Sequence, residues 1–148
     1  MATLADNRKA RHDYEILETF QAGMVLTGQE VKSIRGGRIN LAGSYVSLNN
    51  QELFLLGAHI PPYQPANAPA DYKPERARKL LLTATEIKYL IGKAKERGLT
   101  LIPLKVYSQR SKIKLEFGLV KSKKKQDKRE TLKKRDAERE MRKAMLRG

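Results

Sequence analysis

The chain has 148 residues, of which 40% are hydrophobic, and carries a formal net charge of +15. That length suits one domain with an appended tail, and that charge predicts attraction to polyanions, nucleic acid above all. The absence of cysteine excludes a disulfide, a zinc–thiolate site and a cysteine nucleophile, and no apolar run approaches the ~18 residues that span a membrane.

Residues 1–13 read as a polar N-terminal arm ending in NRKARHD. They lack the apolar segment of a secretory signal, so a cytoplasmic protein is expected. Residues 14–20, YEILETF, are dense in aromatic and β-branched side chains and predict a strand, with a second short strand over 23–26. Thr27 and Glu30 stand at capping-box spacing. A helix of about two turns should follow, with Val31 and Ile34 on one face and Gly36-Gly37 as its stop. Residues 44–48 and 52–60 predict strands joined by Asn49-Asn50-Gln51, where Asn tolerates the positive φ of a tight turn. Residues 61–78 hold five prolines, at 61, 62, 65, 69 and 74, and predict a long loop.

A short strand is expected over 79–82. Thr83 and Glu86 form a second capping box, and Ile87, Leu90, Ile91 and Ala94 then make one apolar helical stripe that Gly98 ends. Residues 99–107 and 112–120 predict a hairpin across 108–111. Pro103 implies an edge or a bulge. Ile113, Leu115, Phe117 and Leu119 alternate with Lys112, Lys114, Glu116 and Gly118, so one face should be buried and the other wet. The expected fold class is β-rich α+β. Residues 14–120 would form a small antiparallel β-barrel of oligonucleotide-binding type with two or three flanking helices.

Residues 121–148 form a basic C-terminal tail. They carry 13 Lys and Arg against 5 Asp and Glu, so under a fifth of the length holds over half of the excess charge. From 126 to 147 there is no Pro or Gly, and Glu130–Lys134 and Glu138–Arg142 are favourable helical pairs. The apolar stripe of Ala137, Met141 and Met145 is too thin to offset an ordering cost of ~1–2 kcal/mol per residue. The tail is therefore expected to be disordered when free and helical when docked on a polyanion. A solvated helix or solubility tail is the plainer alternative. Against it stands the density of like charge from 121 to 129, which a phosphate partner would relieve.

Candidate binding residues fall in two runs. Asn7, Arg8, Lys9, Arg11, His12 and Tyr14 combine cations with rings that can stack on unpaired bases, although a flexible arm before an ordinary strand Tyr would look the same. Lys32 and Arg35 share a helix face, with Arg38 nearby, and can hold a phosphate backbone or simply be solvated. Glu30 is better explained by its cap than by catalysis. His59 reads as a core or hydrogen-bonded structural residue. With two His and no Cys, no metal site is expected. The chain has no Walker-type loop, no G-x-S-x-G, no H-E-x-x-H and no dinucleotide fingerprint. Its acids are sparse, which argues against a two-metal nuclease. No catalytic residue and no cofactor are expected.

The runs NRKARHDYEI, GMVLTGQEVKSIRGGRINLAGSYV, ELFLLGAHIPPY, ERARKLLLTATEI, GLTLIPLKVY and KLEFGLVKSKKKQDKR together resemble the small protein B (SmpB) family of bacterial tmRNA-binding proteins. The resemblance covers residues 7–129 in order, and GxEVKSxRxGxxN over 28–40 is its most specific part. It implies a monomer that binds the tRNA-like part of tmRNA and reaches stalled ribosomes with elongation factor Tu, which it meets indirectly through the charged tmRNA. It implies RNA contacts from residues 7–12, Tyr14, Glu30, Lys32 and Arg35, and from Lys121, Lys123 and Lys124 at the junction. It implies that Lys125, Asp127, Lys128, Arg129, Lys133 and Lys134 belong to a tail that enters the decoding centre and the empty mRNA channel. Ser122 stands where the family often has Gly, and Gln126 where many members have a ring. Two other classes fit the composition: a structural ribosomal protein with a basic extension, and a nuclease.

Overall fold

The computed structural model describes residues 2–96 and 98–122; everything expected of the tail beyond Ser122 lies outside the described residues. The strands are β1 (Ala2–Asp6), β2 (Tyr14–Met24), β3 (Tyr45–Asn49), β4 (Glu52–Leu56), β5 (Arg78–Leu81), β6 (Leu99–Gln109) and β7 (Lys112–Ser122). The helices are α1 (Arg8–Asp13), α2 (Gly28–Arg35) and α3 (Ala84–Lys93), with a 3₁₀ turn at Pro65–Asn67. The strands make one seven-stranded antiparallel sheet in the order β1-β6-β3-β4-β5-β2-β7. A further β6–β7 pairing brings six of these strands into a nearly closed ring, whose thinnest seam is the single β3–β6 pair Val46↔Leu101.

The local signals act as expected over most of the chain. Thr27 Oγ1 accepts from the Glu30 amide at 3.2 Å, and Glu30 Oε1 accepts from the Thr27 amide at 2.9 Å. Thr83 and Glu86 repeat this reciprocal cap on α3. Gly37 takes the left-handed conformation past α2, at φ +78°. Asn50 and Gln51, at φ +51° and +65°, form the two-residue turn between β3 and β4. Several expected boundaries move. α3 ends at Lys93, with Ala94 exposed just past it and well before Gly98. β7 runs on to Ser122, so Lys121 and Ser122, expected in the tail, belong to the sheet. Residues 14–24 are one strand, not two. β4 stops at Leu56 because Gly57 turns the chain at φ +80°, close to the Gly43 carbonyl and Ser44 Cα. His59, expected in the core or hydrogen-bonded, lies beyond that turn as an exposed residue that exchanges backbone hydrogen bonds with Asn40 and meets Glu75 at 3.3 Å.

The largest departure is the polar arm expected over residues 1–13, which is structured from residue 2. β1 pairs with residues 105–108 of β6, and α1 follows at once. Composition hid both, because β1 is secured by backbone hydrogen bonds to the free edge of β6 and α1 buries only Ala10. The core explains β7 as well. Inside the ring, Leu53, Leu55, Leu80, Leu115 and Phe117 pack with Ile34 of α2 and Leu90 of α3. A bulge after Pro103 leaves Leu104 unpaired against β7. Leu104 joins Ala10, Ile102 and Val120 in a second, smaller cluster under α1. β7 therefore alternates buried and wet only to Phe117. From Gly118 to Val120 it is buried throughout, since α1 and Leu104 cover its outer side.

Candidate nucleic-acid interface

The long β6–β7 hairpin separates the two candidate runs. Arg35 Nη2 donates to the Ser111 carbonyl at 2.8 Å, so the C-terminal end of α2 sits at the hairpin turn. At the far end Tyr14 pairs with Ser122, Glu15 with Lys121 and Leu99 with Lys121, which puts α1 beside the start of the tail. From Ser111 to Lys121 the strand path is roughly 33 Å at ~3.3 Å per residue. Lys32 and Arg35 therefore do not share a site with residues 7–14.

At the α2 end, Lys32 Nζ stands 5.7 Å over the Tyr63 ring and Arg38 Nη1 donates to the Tyr63 carbonyl at 3.4 Å. Among the described residues, none of Lys32, Arg35 and Arg38 pairs with a carboxylate. These three cations, with Arg110 and Lys112 across the turn, form a basic surface around an exposed ring.

Glu30 lies on the same helix but faces inward, with 1% of its surface exposed. Arg76 reaches its two oxygens at 2.6 and 3.1 Å, and Arg78 reaches Oε2 at 2.6 and 3.0 Å. Arg78 is fully buried and also donates to the Ala58 and Pro74 carbonyls. Tyr72 completes the cluster, its hydroxyl donating to the Ile60 carbonyl at 2.6 Å. Burial pushes the Glu30 carboxyl up, but Arg76, the Thr27 amide and Arg78 outweigh it and hold the group below its ordinary 4.5. Burial, then the Glu30 charge, raises the Tyr72 hydroxyl. Glu30 thus fastens the proline-rich segment to α2 and presents no atom to a ligand. The sequence carried one hint of this: Arg78 precedes Leu80 by two positions in β5, on the face that is buried.

At the α1 end, Asn7 is also turned inward. Its Oδ1 accepts from the Ala10 amide at 3.2 Å and caps α1. Its Nδ2 donates to the Pro103 carbonyl at 2.8 Å, and its amide donates to the Leu104 carbonyl at 2.8 Å. Asn7 therefore clamps α1 to the β6 bulge. Arg8 is exposed, Lys9 bonds Asp13 at 3.0 Å, Arg11 bonds Asp6 at 3.3 Å and His12 meets Asp13 at 3.1 Å. Tyr14 is half-buried against the second cluster, and Lys121 is exposed. Between α1 and residues 43–45 runs a cleft of about 310 Å³, with Tyr14 and Tyr45 among its lining. Lys123, Lys124, Lys125, Asp127, Lys128, Arg129, Lys133 and Lys134 lie outside the described residues.

A strand ring with cations displayed at both ends and its polar helix residues used as internal fasteners defines a small β-rich protein suited to meeting a polyanion. The family model described as SmpB protein matches residues 4–147. The SsrA-binding protein of Acaryochloris marina (strain MBIC 11017) is 50% identical over 145 residues, covering 98% of this chain and 94% of that protein. The SsrA-binding protein of Salinispora arenicola (strain CNS-205) is 54% identical over 141 residues, covering 95% and 88%. A chain of the solved structure described as "tmRNA-SmpB: a journey to the center of the bacterial ribosome" superposes with a TM-score of 0.66 at 46% identity, covering 80% of this chain and 82% of that one. The chain belongs to the SmpB family.

Proposed function

We propose that the chain binds the tRNA-like part of tmRNA and brings it to stalled ribosomes for trans-translation. It is a binding protein, not an enzyme: it positions an RNA, and the ribosome does the chemistry. The observation that carries the reading is family membership across residues 4–147, with proteins about half identical to it that are named for binding SsrA. The exposed cations at the two ends of the hairpin support it physically, since each phosphate neutralised releases counterions.

In finer terms the ring is a barrel of oligonucleotide-binding type and the protein works as a monomer in the cytoplasm. Lys32, Arg35 and Arg38 meet one stretch of phosphate backbone, while Arg8, His12 and Lys121 meet another. Glu30 and Asn7 serve by holding these surfaces in shape. The tail from Lys123 onward enters the decoding centre and mRNA channel, and the body meets elongation factor Tu only through the charged tmRNA. The rigid β7 exit aims the tail.

A gel shift with the tRNA-like RNA tests the first step: one discrete complex, weakened steeply by salt, is expected. Constant presence in every small subunit without such a complex would instead indicate a structural ribosomal protein. Deleting residues 126–148 should leave binding of the free RNA within about twofold and abolish rescue of ribosomes stalled on truncated mRNA. Loss of free-RNA binding in that deletion would refute the division of labour.

A further inference from the structure

The cleft beside α1 differs in kind from the basic surface at the hairpin turn. Its charged lining residues are Lys9 and Asp13, one of each sign, in a chain of net charge +15. A phosphate site would be built from donors alone, whereas this cleft is charge-balanced. Ala10 and Ile102 line it from the second apolar cluster. Thr100, two positions from Ile102, shares its face of β6, and that face also lines the cleft. Tyr45 stands at its edge with 47% of its surface exposed, although the next residue, Val46, is buried. A large exposed ring beside an apolar base and a few polar groups suits a flat, uncharged group with polar edges.

We propose that this cleft takes one unstacked base of the bound RNA, with Tyr45 as its stacking platform. The inference rests on the reading that the chain binds a folded RNA, and it adds a base-sized subsite to the phosphate-binding surfaces. Unpaired, splayed bases are what proteins hold on aromatic side chains in folded RNA. Around the base, the Asp13 carboxylate accepts from amino groups, Lys9 donates, and the Thr100 hydroxyl does either. The buried Asn7 clamp sets the width of the cleft, because it ties α1 to β6 at Pro103 and Leu104.

The test is binding of the tRNA-like RNA of tmRNA to the full chain and to Tyr45 variants across a salt series. Tyr45→Ala is expected to weaken binding roughly 5- to 150-fold, the range of one lost stacking contact. The dependence on salt should not change, because no phosphate contact is lost. Tyr45→Phe should bind like the parent. Tyr45 is nearly half exposed, so its truncation leaves the core filled. The parent chain is then titrated with RNAs carrying one abasic position at a time among the unpaired nucleotides. One position should cost the parent chain as much as Tyr45→Ala does, and should cost the variant nothing more. Parent-like affinity in Tyr45→Ala, or the lack of any such abasic position, overturns the subsite while RNA binding stands. Failure of the parent chain to bind the RNA at all overturns both readings.

Discussion

The two ends of the β6–β7 hairpin solve the same problem by different physical means. At each end a short helix must be fixed to the ring while presenting cations outward. The α2 end uses a buried ion cluster, with one carboxylate between two guanidinium groups. The α1 end uses a neutral amide clamp over a small apolar cluster. A buried charge demands partners on every side and makes the joint stiff and intolerant. A neutral clamp costs less to lose and leaves room for a cleft. The lesson is that a polar residue inside a basic run is not thereby a binding residue, since Glu30 and Asn7 are fasteners among their exposed neighbours.

The comparison breaks most visibly at Glu30. Glu30→Gln leaves the fully buried Arg78 without its carboxylate and should cost about 3–5 kcal/mol, measured as a lowered midpoint in urea unfolding. Asn7→Ala removes two buried side-chain hydrogen bonds, one of them the cap of α1, and should cost about 1–3 kcal/mol. Its amides in 8–13 should lose hydrogen-exchange protection while those of α2 keep theirs. If both substitutions cost the same and loosen both ends, the ends are one cooperative unit and the contrast fails.

Acid separates the two more gently. The Glu30 carboxyl is held below its ordinary 4.5 in the folded chain, so the stability it adds is complete above that value. That contribution is lost as pH falls through the lowered folded value. Unfolding midpoints should be level above about pH 5 and drop below about pH 4.5, and Glu30→Gln should flatten the drop. Asn7→Ala should leave its shape unchanged, because no proton is bound there. The smallest effect on stability belongs to the exposed cations. Replacing Lys32 and Arg35 together by Gln should change stability by under about 0.5 kcal/mol. It should weaken RNA binding and reduce the slope of log affinity against log salt by up to about 2.

Much of the fold was legible from short-range pattern. Both capping boxes, the left-handed Gly37, the Asn50-Gln51 turn, the Ile87–Leu90 part of the α3 stripe and the β6–β7 hairpin each depend on residues within a few positions of one another. The bulge that Pro103 implied is present, and its consequence, Leu104 turned outward against α1, is what buries the far end of β7. The exposed members of the candidate site, Lys32, Arg35, Arg8 and Lys121, were legible as well. β1 was not, because an edge strand whose side chains are half-buried at most carries no alternating signal.

Local chemistry and composition therefore settled most of the elements, the β-rich α+β class and the family. Tertiary structure alone decided which polar side chains turn inward and how far apart the two basic surfaces lie. Asn7 finds its acceptor at Pro103, 96 positions away, and Glu30 finds Arg78 across 48. The stabilisation of a buried polar group belongs to its partners, and partners that distant become neighbours only once the ring has closed.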